Sequence, residues 1–165
     1  MTYTTYGAEQ TQHIARELAA TVKGGDILLL SGELGAGKTT FVKGLASAFG
    51  IAEEDIVSPT FTLMNVHLIE VTTENLQSRR KVRDPVSEAS GLRTLVHIDT
   101  YRLKNEQELI DIGVEDYLGA PDTLCVIEWP EKIKNLLEKK KVLSIHFEHT
   151  SENQRKILFS VPQNI

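Results

Sequence analysis

The stretch Gly32-Glu33-Leu34-Gly35-Ala36-Gly37-Lys38-Thr39 constrains this chain more than any other. It satisfies G-x-x-x-x-G-K-[ST], a phosphate-cradling loop that works only with a strand before it and a helix after it. Both flanks read that way. Asp26-Ile27-Leu28-Leu29-Leu30-Ser31 is short, nearly all apolar and bounded by glycines. That is the pattern of a strand buried on both faces, as a parallel sheet demands. From Lys38 onward, Phe41, Leu45 and Phe49 recur every fourth residue, and Gly50 suits the position after a last helical turn.

The residue types follow from the chemistry. Glycines let the loop wrap closely, so that backbone N–H groups point at phosphate oxygens, and the helix N-terminus adds partial positive charge. Lys38 then brings a full charge to the β- and γ-phosphates, and Thr39 offers a hydroxyl to Mg²⁺. The expected nucleotide set is Gly32, Glu33, Leu34, Gly35, Ala36, Gly37, Lys38, Thr39 and Thr40, with ATP and Mg²⁺ as ligands. Glu33 and Leu34 contribute backbone rather than side chain.

With 165 residues, the chain is expected to form one domain (1–165). The formal net charge of −5 argues against a protein that reads DNA or RNA alone, since such readers carry a basic face. A single cysteine, Cys125, excludes a disulfide framework within the chain. It lies in the apolar run Leu124-Cys125-Val126-Ile127 and reads as a buried thiol. The first residues lack the basic start and apolar stretch of a signal peptide. No apolar run nears the roughly 20 residues of a membrane span. A cytoplasmic protein is expected.

Residues 9–22 read as an amphipathic helix, with Ile14, Ala15, Leu18, Ala19 and Val22 on one face. Residues 62–71 look extended. Runs 95–99 and 123–128 are further buried-strand candidates. Residues 104–118 read as helical with a break near Gly113, and Pro130 suits the first turn of a helix carrying Ile133, Leu136 and Leu137. Residues 142–148 and 156–161 alternate apolar and polar, as in a hairpin. The sum is an α/β P-loop NTPase-like sandwich: a mainly parallel central sheet, helices on both faces and a C-terminal antiparallel hairpin.

Two strands end in an acid, at Asp99 and Glu128. A nucleotide hydrolase needs a carboxylate near its metal and a group that orients water. The shorter Asp99 is assigned to the metal beside Thr39, and the longer Glu128 to water activation. His97 shares a strand face with Asp99 and reads as a core histidine. Thr60, in the turn Ser58-Pro59-Thr60-Phe61-Thr62, is either a switch threonine or an ordinary turn residue. Trp129 is either core or nucleotide-sensing, and Arg102 either an ion pair or a partner contact.

Four segments occur in order: Gly32 to Thr40, Ser58-Pro-Thr-Phe-Thr62, His97-Ile-Asp-Thr-Tyr-Arg102-Leu and Ile127-Glu-Trp-Pro-Glu131. Together they resemble the bacterial TsaE family, P-loop ATPases of tRNA threonylcarbamoyladenosine biosynthesis. The resemblance covers most of the chain. It implies an ATPase that supports a TsaD–TsaB complex modifying adenosine 37 of tRNA, touching tRNA indirectly or through that complex. It implies Thr39 and Asp99 as Mg²⁺ contacts and the 58–62 segment, including Thr60, as switch-like. It also implies roles in hydrolysis for Glu128 and Trp129, so that Lys38, Glu128 and Thr60 form the expected catalytic set.

One departure from the family pattern is an insertion over about 72–93, which includes Arg79, Arg80, Lys81 and Arg83. It is either a solvated flexible loop or a contact surface for tRNA or the partner complex. Two rival functions remain. A P-loop small-molecule kinase could use those arginines as a lid, but no second-substrate pocket is legible. A nucleotide-switched binding module would show little turnover.

Overall fold

The computed structural model describes residues 1–69, 91–160 and 163–164. In chain order they form β1 (Thr2–Thr5), α1 (Ala8–Ala19), β2 (Ile27–Gly32), α2 (Lys38–Ala48), β3 (Met64–Leu68) and β4 (Thr94–Asp99). There follow α3 (Gln107–Asp111), β5 (Thr123–Glu128), β6 (Lys141–His149), β7 (Arg155–Phe159) and β8 (Gln163–Asn164). The strands make one sheet in the order β1-β7-β6-β2-β5-β4-β3, with β8 beside β6.

The apolar run before the glycine loop is the middle of this sheet. β2 pairs in parallel with β5 on one side and β6 on the other, and β5 pairs in parallel with β4. Antiparallel partners flank this centre: β3 on β4, β7 on β6 and β1 on β7. The expected α/β sandwich with a parallel centre and a C-terminal hairpin is therefore the observed fold.

Alternation along β2 splits its side chains between two cores. Leu28 and Leu30 pack with Ile14 and Ala15 of α1 and with Phe41 and Leu45 of α2. Ile27 and Leu29 pack on the opposite face with Val96, Ile98, Leu109 of α3 and Ile133. α1 and α2 approach closely at Gly44, where a Cβ would lie 2.4 Å from the Gln12 backbone. Gly7, Ala8 and Thr11 at the start of α1 line one cavity with Gly35 and Gly37 of the loop and Thr40 of α2, so both helices bring their N-terminal ends to the loop.

Two expectations change, and one strand is new. The helix over 104–118 shrinks to α3 plus a 3-10 turn at Val114–Asp116. Residues 104–106 form a bend and turn rather than helix, whereas the break expected near Gly113 is there, with that residue left-handed (φ 81°). After Pro130 there is only a 3-10 turn, Pro130–Lys132. Ile133 and Leu137 are still buried, but Ile133 has already left helical geometry. β1 was not anticipated: its polar Thr-Tyr-Thr-Thr sequence lacks an apolar run, and it is held as an edge strand by pairing with β7.

The expected insertion over 72–93 lies outside the described residues up to position 90, and so do Arg79, Arg80, Lys81 and Arg83. Of its last residues, Leu92 is buried in the α1/α2 core, and the Arg93 carbonyl accepts from the Ile69 N–H at 2.8 Å.

Candidate nucleotide-binding site

β2 delivers the chain to Gly32 with φ at 132°, and a Cβ there would sit 2.3 Å from the Phe147 carbonyl oxygen. Only glycine meets both demands. The loop then turns through Gly35 and Gly37, the latter left-handed (φ 103°) as it enters α2. The first helical bond runs from the Phe41 N–H to the Gly37 carbonyl at 2.9 Å. The N–H groups at the start of α2 thus open towards the cleft, the arrangement that suits an anion.

Lys38 is buried, 4% exposed, at the mouth of this loop. Its Nζ donates to the carbonyls of Gly32 (2.8 Å) and Glu33 (2.9 Å). It also lies 4.0 Å from the centre of the Trp129 ring. Burial lowers its pKa below the ordinary 10.5, opposed by the charges of Glu128, Asp99 and Glu131. The ammonium is therefore held by partial charges that a phosphate would outcompete.

The strand order decides which acid stands next to the loop. β5 adjoins β2, so Glu128 lies closest, and Asp99 is one strand further on. The Thr39 hydroxyl donates to Glu128 Oε1 at 2.9 Å. His97 Nε2 is also 2.9 Å from that same oxygen. Asp99 is engaged elsewhere. Its Oδ2 accepts from Ser58 Oγ (2.5 Å) and Thr60 Oγ1 (2.7 Å), and its Oδ1 accepts from the Tyr101 N–H (2.9 Å). The structure thus brings Thr39 to Glu128 and Thr60 to Asp99, whereas Thr39 and Asp99 share no hydrogen bond.

A cleft of about 470 Å³ joins these groups. Gly35, Gly37, Lys38, Thr39 and Thr40 line it on one side, and Thr60, Asp99 and Glu128 on the other. Leu34 is at its rim, 77% exposed, while Ala36 turns into the core. Gly32 and Glu33 border a neighbouring hollow that shares the Trp129 wall. Beyond Thr40 a second cavity, about 250 Å³, continues past Gly7, Thr11, Asn153 and Arg155.

The donor set suits a hard cation bound together with phosphate. Among the described residues no group of three or more His, Cys, Asp and Glu could hold a metal by itself. One hydroxyl and one or two carboxylates beside a phosphate cradle are what Mg²⁺ uses, since it keeps waters and takes phosphate oxygens.

Thr100 and Tyr101 escaped the sequence reading, which left Trp129 and Arg102 open. Thr100, fully buried, donates its hydroxyl to the Glu128 carbonyl at 3.3 Å and contacts the Trp129 carbonyl. It pins the turn after β5, where Trp129 adopts φ 60°. Trp129 is a wall of the cleft rather than core, and Tyr101 packs on it with ring centres 5.0 Å apart. Arg102 lies 4.4 Å from the centre of the Phe61 ring, on the rim. Only the quoted His-Ile-Asp-Thr-Tyr-Arg run hinted at Thr100 and Tyr101. The buried thiol expected at Cys125 is there, its pKa pushed up to about 12 by desolvation.

A glycine loop of this kind, springing from the central strand and opening a helix at the carboxyl edge of a parallel sheet, is one architecture: the chain is a P-loop protein. Comparison with known proteins narrows the class. A family model described as "Threonylcarbamoyl adenosine biosynthesis protein TsaE" matches residues 5–157. The chain is 33% identical over 160 residues to the tRNA threonylcarbamoyladenosine biosynthesis protein TsaE of Bacillus subtilis (strain 168), covering 97% of this chain and 85% of that one. It is 35% identical over 147 residues to the protein of the same name from Rickettsia felis, covering 89% and 72%. A crystal structure described as "Bacillus subtilus YdiB" superposes with a TM-score of 0.67 at 29% identity, covering 96% and 83%. The chain belongs to the TsaE family of threonylcarbamoyl adenosine biosynthesis proteins.

Proposed function

We propose that this protein is a Mg²⁺-dependent ATPase that supports a TsaD–TsaB-type complex in N6-threonylcarbamoylation of adenosine 37 of tRNA. The single observation that carries the ATPase reading is the convergence of Lys38, Thr39 and Glu128 on one cleft, with Thr39 bonded to Glu128. Family membership supports the pathway and, through it, the partner complex.

In this reading the triphosphate lies along Gly35 to Thr40, wrapped by backbone N–H groups. Lys38 leaves the Gly32 and Glu33 carbonyls for the β- and γ-phosphates. The nucleoside end occupies the cavity past Thr40, between Thr11, Asn153 and Arg155. Thr39 and Asp99 would hold Mg²⁺, which would supply positive charge against the phosphates. Glu128 borders the same position: Oε1 faces Thr39, while Oε2 makes no hydrogen bond among the described residues and orients the attacking water. Thr60 is released from Asp99 as the 58–62 segment responds to the γ-phosphate. The protein works at the cytoplasmic site of tRNA modification, and no described helix is long and apolar enough to cross a membrane.

The test is phosphate release from Mg-ATP with no acceptor present, for wild type and Glu128→Ala. Turnover that depends on Glu128 supports a hydrolase. Transfer only when a small-molecule acceptor is added marks a kinase. Nucleotide binding with no turnover, even with the partner complex, marks a switched binding module.

A further inference from the structure

We propose that His97 is a positioning residue for Glu128: its Nε2–H grips Oε1 and so turns Oε2 into the nucleotide cleft. The proposal rests on reading that cleft as an ATP hydrolysis site. Four observations carry it, beginning with placement. β4 and β5 run parallel with Asp99 opposite Glu128 and His97 opposite Val126, so His97 is a diagonal same-face neighbour of Glu128.

The second observation is contact. His97 Nε2 and Glu128 Oε1 are 2.9 Å apart, and both residues are buried, at 0% and 3% exposure. A charge-assisted bond in so dry a place holds its geometry better than one shared with water. The third is tautomer. His97 Nδ1 is buried and has no hydrogen-bond partner among the described residues. A hydrogen placed there would be a buried orphan donor, which costs about 1–3 kcal/mol. The hydrogen therefore belongs on Nε2, which makes His97 a donor to the carboxylate.

The fourth is division of labour. Oε1 receives both Thr39 and His97. Thr39 also serves the metal side of the cleft, so its bond changes as ligands come and go. His97 is the partner that stays. An imidazole that merely filled the core would need no carboxylate at hydrogen-bond distance, and an apolar side chain would fill the space without leaving a buried nitrogen unpaired.

The proposal predicts a split in the kinetics. His97→Ala lowers kcat by about 10- to 100-fold, the usual range for a residue that orients a reacting group. The dissociation constant for Mg-ATP stays within about threefold, because His97 does not touch the nucleotide cleft. His97→Gln, which can still present an N–H, recovers most of the lost kcat. In a Glu128→Ala background, His97→Ala causes no further loss, since the two act as one unit. Nitrogen-15 ring shifts of His97 in the wild-type protein give a readout independent of turnover. They are expected to place the hydrogen on Nε2, and Glu128→Ala is expected to move the Nε2 signal more than the Nδ1 signal. Either of two results overturns the proposal: a hydrogen on Nδ1 with Nε2 bare, or an equal fall in kcat when His97 is removed from the Glu128→Ala protein. If wild type hydrolyses no ATP, the functional reading fails instead, and the ring shifts still decide whether His97 holds Glu128.

Discussion

The Thr39 hydroxyl and Glu128 Oε1 meet at 2.9 Å across 89 residues of sequence. That bond joins the first turn of α2 to the end of β5 and puts a carboxylate beside the glycine-rich loop. Glu128→Gln keeps the shape of the side chain and removes its charge. It is expected to lower phosphate release by about 100-fold or more, the scale of lost acid–base assistance. Calorimetric affinity for ADP should change by less than about threefold. A loss of affinity as large as the loss of turnover would place Glu128 in binding rather than in hydrolysis.

Lys38 and Trp129 supply an internal reporter. The ammonium lies 4.0 Å from the centre of the ring of the chain's single tryptophan. Phosphate is expected to draw Lys38 away, so Trp129 emission should change when Mg-ATP is added. Lys38→Ala should start from the altered emission, show little further change, and bind Mg-ATP at least about tenfold more weakly. That corresponds to about 1.4 kcal/mol, a modest value for a charge-assisted contact. An unchanged emission spectrum on saturation with nucleotide would mean that Lys38 stays on the loop carbonyls.

The close approach of α1 and α2 depends on Gly44. A Cβ would meet the Gln12 backbone at 2.4 Å, and neither helix backbone can yield cheaply. Gly44→Ala gains helix propensity but is expected to lose about 1–3 kcal/mol of stability through overpacking. Urea unfolding of the two proteins checks this. A stabilised variant would mean that the helices separate without penalty.

Cys125 gives the fold a pH dependence at its alkaline end. Its pKa is raised from 9.0 to about 12 because the thiolate is poorly solvated in the core. The folded state therefore keeps a proton that the unfolded chain has lost. That advantage is fully present below pH 9 and is lost as pH rises towards 12. Wild type should lose stability relative to Cys125→Ala by up to about 1.4 kcal/mol per pH unit in this window. Parallel stability curves for the two proteins between pH 9 and 11 would show that the thiol ionises without penalty.

Much of this organisation is legible in the sequence because its signals are local. The glycine loop, the apolar run of β2 and the acid-ended strands β4 and β5 each occupy a few consecutive residues. The pairing of acids with hydroxyls is not local. β5 follows β4 in the chain yet lies between β4 and β2 in the sheet, so Glu128 rather than Asp99 adjoins the loop. No pattern in the sequence states that order. Likewise His97 looks like a core residue, since its partner lies 31 residues away. The helix expected after Pro130 fails for a different reason. Ile133 and Leu137 are buried, but turns bury them as well as a helix would, and periodicity cannot tell the two apart.

The most direct test of the central claim is ATP turnover by the purified chain, with and without a TsaD–TsaB-type complex, against Lys38→Ala. Phosphate release that rises on adding the complex and vanishes in Lys38→Ala is the predicted result. Turnover that the complex leaves unchanged, or that persists without Lys38, would contradict the account.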